Sequence, residues 1–249
     1  MHRSGKMLLL TAVTLAACGG SSPQPKPATS LAPQALATLR DLVFADQDLD
    51  TVVALQKDSP VDDAASPWPR LATAARLRRE DPDAATAELD QVLELPGLET
   101  RVQLWTWTAL RSLDVTPEEE SADVVQGVVI EMPVADDVDT LAVFRDGTMR
   151  YFSHQGSAVF WDGSSAEVRE LVRRPIALAE QMPVKDLGPL AHPRPSRSPG
   201  AIRVSFLTFA GVRHRETRAD ALRDDDQLTP LVKAGAAIIQ KAADRKPVR

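Results

Sequence analysis

The spacing of apolar positions along the chain changes once, near residue 120, and that change organises the protein. Before it, Leu36, Leu39, Leu42 and Val43 recur at the three- and four-residue steps of one helical face, and Leu49, Val52, Val53 and Leu55 open a second. Beyond an Asp-, Ser- and Pro-rich stretch at 57–67, the pattern predicts further helices over 68–80, 81–97 and 98–113. Asp81-Pro82 is a start signal, because the carboxylate can cap exposed amides and the proline φ suits a first turn, and Pro96-Gly97 is a stop. Residues 114–123 (DVTPEEESAD) form an acidic break that contains proline. The period then shortens to two, which predicts strands over 124–132, 140–146, 148–153 and 157–162, with turns at Asp146-Gly147 and at His154-Gln155-Gly156. A helix starting at Ser164 or Ser165 and kinked or split by Pro175 follows, then an extended crossing with five prolines at 183–200. A hairpin over 202–208 and 211–217 comes next, and a last helix begins at Thr229-Pro230 with Leu231, Ala234, Gly235, Ile238 and Ala242 on one stripe. Strands and helices segregated in this way predict an α+β fold in which N-terminal helical hairpins precede an antiparallel sheet with helices packed on one face.

The first residues read differently. Arg3 and Lys6, with no acid, precede the apolar run Met7–Ala17, which at ~1.5 Å per residue is too short to span a bilayer and suits a secretory leader. Leu15-Ala16-Ala17-Cys18 contains the only cysteine of the chain and resembles the lipobox of bacterial lipoproteins. That resemblance implies cleavage before Cys18, a diacylglycerol on its sulfur and acylation of the new amino terminus, with Gly19 pointing to the outer membrane of a diderm cell. The expected organisation is a leader (1–17), a lipidated tether (18–33), a helical region (34–113), a linker (114–123) and an α+β domain (124–245). The tether is rich in proline and polar residues and has too little apolar surface to fold; at ~3 Å per residue it lets the body stand up to ~45 Å from the bilayer. Removing the leader takes away two cations and no acid, so the net charge of -6 moves to -8. No cysteine then remains for a disulfide, so stability rests on packing and hydrogen bonds.

Two other resemblances are partial. Trp68, Leu71 and Ala72, followed by Ala85, Leu89, Val92 and Leu93, are similar to the two helices of a tetratricopeptide repeat, although the intervening loop is a residue longer and Ala75 stands where that family carries an aromatic. The run LAVFRDGTMRYFSHQGSAVFWDG resembles a group of uncharacterised bacterial proteins and implies no activity.

Candidate chemistry is sparse. His154, His192 and His214 lack metal-ligand spacing, no phosphate-binding glycine loop or other cofactor motif is present, and the acidic balance argues against nucleic acid. His154 beside Ser153, Ser157 and Asp146 suggests a hydrolase site, but without the G-x-S-x-G turn that would present a serine. Asp136, Asp137 and Asp139, and Asp224 to Asp226, read as solvated loops. Charge separation is the stronger signal: six arginines against one acid between 194 and 218, and nine acids against no base between 114 and 139. Arg203, Arg213 and Arg215 are the candidate anion- or partner-binding residues, with Arg203 expected opposite the other two on one sheet face. Trp105 and Trp107, two apart, point to different sides of a helix, one into the core and one as an anchor for a partner or for the second domain. The expectation is a lipid-anchored envelope protein, periplasm-facing, that binds or scaffolds a protein partner without a cofactor. The alternatives are an envelope hydrolase acting near His154 and a structural subunit of an envelope assembly.

Overall fold

The computed structural model describes residues 29–30, 32–56, 66–191 and 194–243. Cys18 and the leader lie outside the described residues. The N-terminal half contributes α1 (Pro33–Leu42), α2 (Leu49–Gln56), α3 (Trp68–Leu77), α4 (Pro82–Leu93), α5 (Thr100–Arg111) and the short α6 (Glu119–Ala122). After it come β2 (Gly127–Val134), β3 (Asp137–Phe144), β4 (Met149–Phe152), β5 (Ser157–Trp161), α7 (Ala166–Ala179), β6 (Ala201–Thr208), β7 (Gly211–Arg218) and α8 (Leu228–Ala243). Before α1, the two residues of β1 (Thr29–Ser30) pair with Ala158 and Ser157 of β5. All pairings are antiparallel, and the strand order is β1-β5-β4-β3-β2-β6-β7. The two hairpin sequences supply the long strands, and β6 reaches β2 only after α7 has covered one face and the proline-rich crossing has run along the edge of β7 to the other.

Alternation along each strand sorts its side chains to two faces, and both are covered. Val128, Ile130, Leu141, Val143, Met149, Val159, Trp161, Val204 and Phe206 pack under α7 and α8 with Val172, Ile176, Leu231 and Ile238. The intervening residues Val129, Ala142, Phe144, Phe152, Ala158 and Leu207 form a second core with Leu36, Val43, Leu71, Leu89, Trp105 and Leu110 of the N-terminal helices. The α+β fold is therefore as expected, with α7 and α8 on one face, and the helical region closes the other. Gly235 lets α8 lie close on the sheet: a Cβ there would sit 2.6 Å from Ile130 Cδ1. No described helix is long and apolar enough to cross a membrane.

Several local expectations shift. The β2–β3 hairpin extends through Pro133, which pairs with Val138, to a two-residue turn in which Ala135 takes a φ of 51°. Proline is tolerated there because it stands one residue from the strand end. The β3–β4 turn holds three residues, Arg145 to Gly147, and Gly147 supplies its positive φ of 87°. Pro175 stands inside a continuous α7, buried with Val172 and Ile176, so packing against the sheet outweighs the missing amide. Asp225, not Thr229, caps α8, accepting from Leu228 N at 2.9 Å. The crossing at 183–200 is stitched down along the outer edge of β7, where Leu190 N donates to Val212 O at 2.8 Å.

Candidate functional site

The register of the sheet places Thr140, Glu131, Arg203 and Glu216 side by side in one row across β3, β2, β6 and β7. Odd–even alternation puts this row on the face of Val129 and Leu207, the face the N-terminal helices cover. A polar row has no place under an apolar helix layer, and here the layer gives way to a cleft of about 470 Å³. Its walls are the end of α1 and the turn after it, through Arg40, Asp41 and Phe44, and the segment Arg194–Arg197, with Glu131, Thr140 and Arg203 on the floor.

Both walls are tied to the floor by charged hydrogen bonds. Arg40 Nη2 donates to Val138 O and Ser153 O, each at 2.9 Å, which fixes α1 over the start of β3 and the β4–β5 turn. Arg194 donates to Asp46 Oδ1 and to Asp41 Oδ1, each at 2.5 Å, and its guanidinium lies 3.9 Å from the centre of the Phe44 ring. Arg203 Nη1 donates to Pro195 O at 3.0 Å, while its Nε reaches Glu216 Oε1 at 2.6 Å. Ser198 Oγ donates to the other Glu216 oxygen at 2.7 Å. Arg197 donates to the carbonyls of Ser198 and Ala201 and has no carboxylate partner among the described residues. The extended proline-rich chain suits this wall, because it leaves side chains free to bridge on either side.

Glu131 is the electrostatic outlier. Arg203 Nη1 stands 3.7 Å from Glu131 Oε2, too far for a hydrogen bond, and that oxygen is buried with no hydrogen-bond partner among the described residues. Burial pushes the Glu131 carboxyl above the usual range, and outweighs the attraction of Arg203, Arg194 and Arg197. A group with a raised folded pKa lends stability below the pH at which the unfolded chain ionises it, and loses that contribution as pH rises through the folded value. Glu131→Gln is therefore expected to raise the melting temperature at pH 7, where each kcal/mol gained shows as about 2–4 °C at this chain length. The gain should vanish below about pH 4, where the wild-type side chain is protonated in both states. Thermal melts of the two proteins across that range check it, and an equal or lower melting temperature for the variant at pH 7 contradicts it.

The candidate arginines are not brought together. Arg203 lies on the cleft face with its side chain only 4 % exposed and paired to Glu216. Arg213 and Arg215 pair with Phe206 and Val204, which turn to the α7/α8 face, so the register puts them on the other side of the sheet. Arg215 meets Asp225 at 2.8 Å and Arg213 lies 3.6 Å from Asp123. Pairing Arg203 across from Glu216, one residue off the expected register, is what separates the three.

His154 does gain a carboxylate, but Asp139 rather than Asp146. Asp139 Oδ1 accepts from His154 N at 2.7 Å and stands 2.8 Å from His154 Nδ1, while Tyr151 donates its hydroxyl to Oδ2 at 2.9 Å. Burial, then the bond to Asp139, pushes the Tyr151 phenol up to about 12, so it remains a donor. Asp146 instead accepts from Thr100 N at 2.8 Å and Thr148 N at 2.9 Å, holding α5 to the β3–β4 turn. No hydroxyl nucleophile is bonded to the imidazole among the described residues, and three donors converging on one carboxylate clamp the β4–β5 turn. Trp105 is buried, with Nε1 donating to Gln47 at 3.1 Å, whereas Trp107 is half-buried against Phe209 at 5.6 Å between ring centres. No three His, Cys, Asp or Glu side chains among the described residues are placed to share a metal ion.

Sequence reasoning missed Glu131, Arg40 and Arg194. Glu131 carried a signal: it is the only charge in VVQGVVIEM, at a position where alternation calls for an inward-facing residue. Arg40 carried none and Arg194 only its place in the arginine-rich run 194–218, because their partners lie about a hundred residues or more away in the chain. Searches with the whole chain find no matching protein-family model, no similar curated protein and no similar solved structure.

Proposed function

We propose that this protein is a lipid-anchored envelope binding module whose ligand site is the cleft over the Thr140–Glu131–Arg203–Glu216 row. The anchor rests on the lipobox resemblance at Cys18, and the site on Glu131, a carboxylate kept in a walled cleft against its own desolvation. Groups held at a cost to stability cluster where they contact a ligand. With four guanidinium groups in its walls and floor, the cleft suits a polar ligand bearing a carboxylate or phosphate, which Arg197 would meet with the least competition. Glu131 would accept a hydrogen bond from a hydroxyl or amine of the same ligand. A segment of a partner protein ending in acidic residues has this chemistry, in keeping with a scaffolding role at the outer membrane.

Anchoring is tested by cell fractionation: Cys18→Ser is expected to move the protein from the membrane to the soluble fraction, and retention in the membrane overturns the lipid anchor. For the site, a photo-crosslinking residue at Ser196 should trap a specific envelope component in intact cells. Arg197→Glu should abolish that adduct, with a wild-type far-ultraviolet circular dichroism spectrum showing that the variant is folded. An adduct that survives the charge reversal places binding elsewhere.

A further inference from the structure

The outward side of the α7/α8 layer differs from the rest of this acidic protein. Arg173, Arg174 and Lys233 are exposed there, and none has an ion-pair partner among the described residues. Between the two helices runs a groove of about 520 Å³, lined by Leu171, Leu178, Pro230 and Ala237, with Arg174 and Lys233 in its walls. The acids nearby are mostly engaged: Glu167 bonds Lys241, Glu180 bonds Arg145 and Asp224 pairs with Arg223, leaving Glu170 on α7 and Asp226 ahead of α8. Apolar crevice and unpaired cations together match the boundary between the headgroups and acyl chains of a phospholipid leaflet.

We infer that the α7/α8 face is a membrane-apposition surface that docks on anionic phospholipid. The net charge of -8 without the leader means that an anionic bilayer repels the molecule on average, so only a locally positive face can turn toward it. The inference rests on the anchored reading for proximity: ten residues lie between Cys18 and β1, and the eleven steps reach about 33 Å when extended. An acidic protein would satisfy the cations but has no need of the apolar groove, which favours the lipid. The consequence is orientational. α7 and α8 cover one face of the sheet and the cleft opens on the other, so a body lying on this face presents its cleft away from the bilayer.

The test uses residues 19–249, which carry every described element and no lipid, so that docking is read apart from anchoring. Flotation with phosphatidylglycerol-containing vesicles should carry the protein at about 0.1 M salt and release it near ~0.5 M, and pure phosphatidylcholine vesicles should not bind it. Each cation near the surface accounts for about fivefold in binding, so Arg173→Glu/Arg174→Glu/Lys233→Glu should weaken binding by roughly a hundredfold or more. Arg79→Glu, an exposed residue just after α3 in the helical layer on the other face of the sheet, should bind as the unmodified chain does. Because all three substituted residues are exposed, an unchanged melting temperature confirms that the triple variant is folded. No preference for anionic vesicles, or undiminished binding by the triple variant, overturns the inference. Binding to soluble polyglutamate without binding to vesicles also overturns it and reassigns the face to an acidic protein. None of these outcomes bears on the Cys18→Ser fractionation, so the two readings fail separately.

Discussion

A chain cut to residues 124–249 is expected not to fold, although it contains the whole sheet except β1 and both C-terminal helices. Phe144, Phe152, Val129 and Leu207 on the cleft side are each no more than 1 % exposed, and they are covered by the N-terminal helices. Uncovering side chains of this size costs about 2 kcal/mol each, so these four account for about 8 kcal/mol, comparable with the ~5–15 kcal/mol by which a whole domain is stable. Polar ties across the same joint would be lost as well: Thr100 N to Asp146, Arg111 to the Phe209 carbonyl, and Arg40 to Val138 and Ser153. Near-ultraviolet circular dichroism and amide dispersion of the fragment should be those of an unfolded or collapsed chain that aggregates. A soluble, cooperatively melting 124–249 fragment would show that the sheet does not need its second cover.

The second large effect is expected at Glu99. Its Oε1 accepts from Arg101 Nε at 2.8 Å and lies 3.3 Å from Arg150 Nη2, at the point where α5 meets β4. Arg150 is 7 % exposed and spends its other nitrogen on the carbonyls of Met149, at 2.9 Å, and Trp161, at 3.0 Å. Burial pulls the Arg150 guanidinium down to about 10, which still leaves it charged at neutral pH. For Glu99, burial acts to raise the pKa, but Arg101 and Arg150 outweigh it and hold the carboxyl below the usual range. Glu99→Ala leaves Arg150 charged, buried and without its carboxylate, a change that costs about 3–5 kcal/mol. A depressed folded pKa also fixes the sign of the pH dependence. The Glu99 contribution is present above the range where a free glutamate titrates, about 4.3, and is lost as pH falls through the lower folded value. Denaturant titrations should accordingly show the gap between wild type and Glu99→Gln narrowing below about pH 4. A constant gap from pH 7 to pH 3 would locate the cost in packing rather than in charge.

The two effects share a cause that also explains which parts of the molecule were readable in advance. Helix and strand periods are local, and 81–97, 98–113 and 202–217 were legible because each places its apolar residues at the spacing its own element requires. Turn chemistry was partly legible: Gly147 announced a positive φ, but Ala135 did not, since nothing but its place in a two-residue turn demands one. Glu99 and Arg150 stand 51 residues apart, and no spacing rule connects them.

Much of this protein follows from the order of its residues alone: an α+β plan of helices, then an antiparallel sheet with two helices on it, and a candidate lipid-attachment cysteine in a leader-like start. Those features depend on chemistry within a few residues of each position. The cleft, its occupants and the separation of Arg203 from Arg213 and Arg215 depend instead on pairing register, in which a slip of one residue exchanges the faces of an entire strand. The β6–β7 register is set at the two-residue turn between Thr208 and Gly211, and the docking of α1 over β3 by contacts between segments about a hundred residues apart, so both emerge only when the elements have closed on one another.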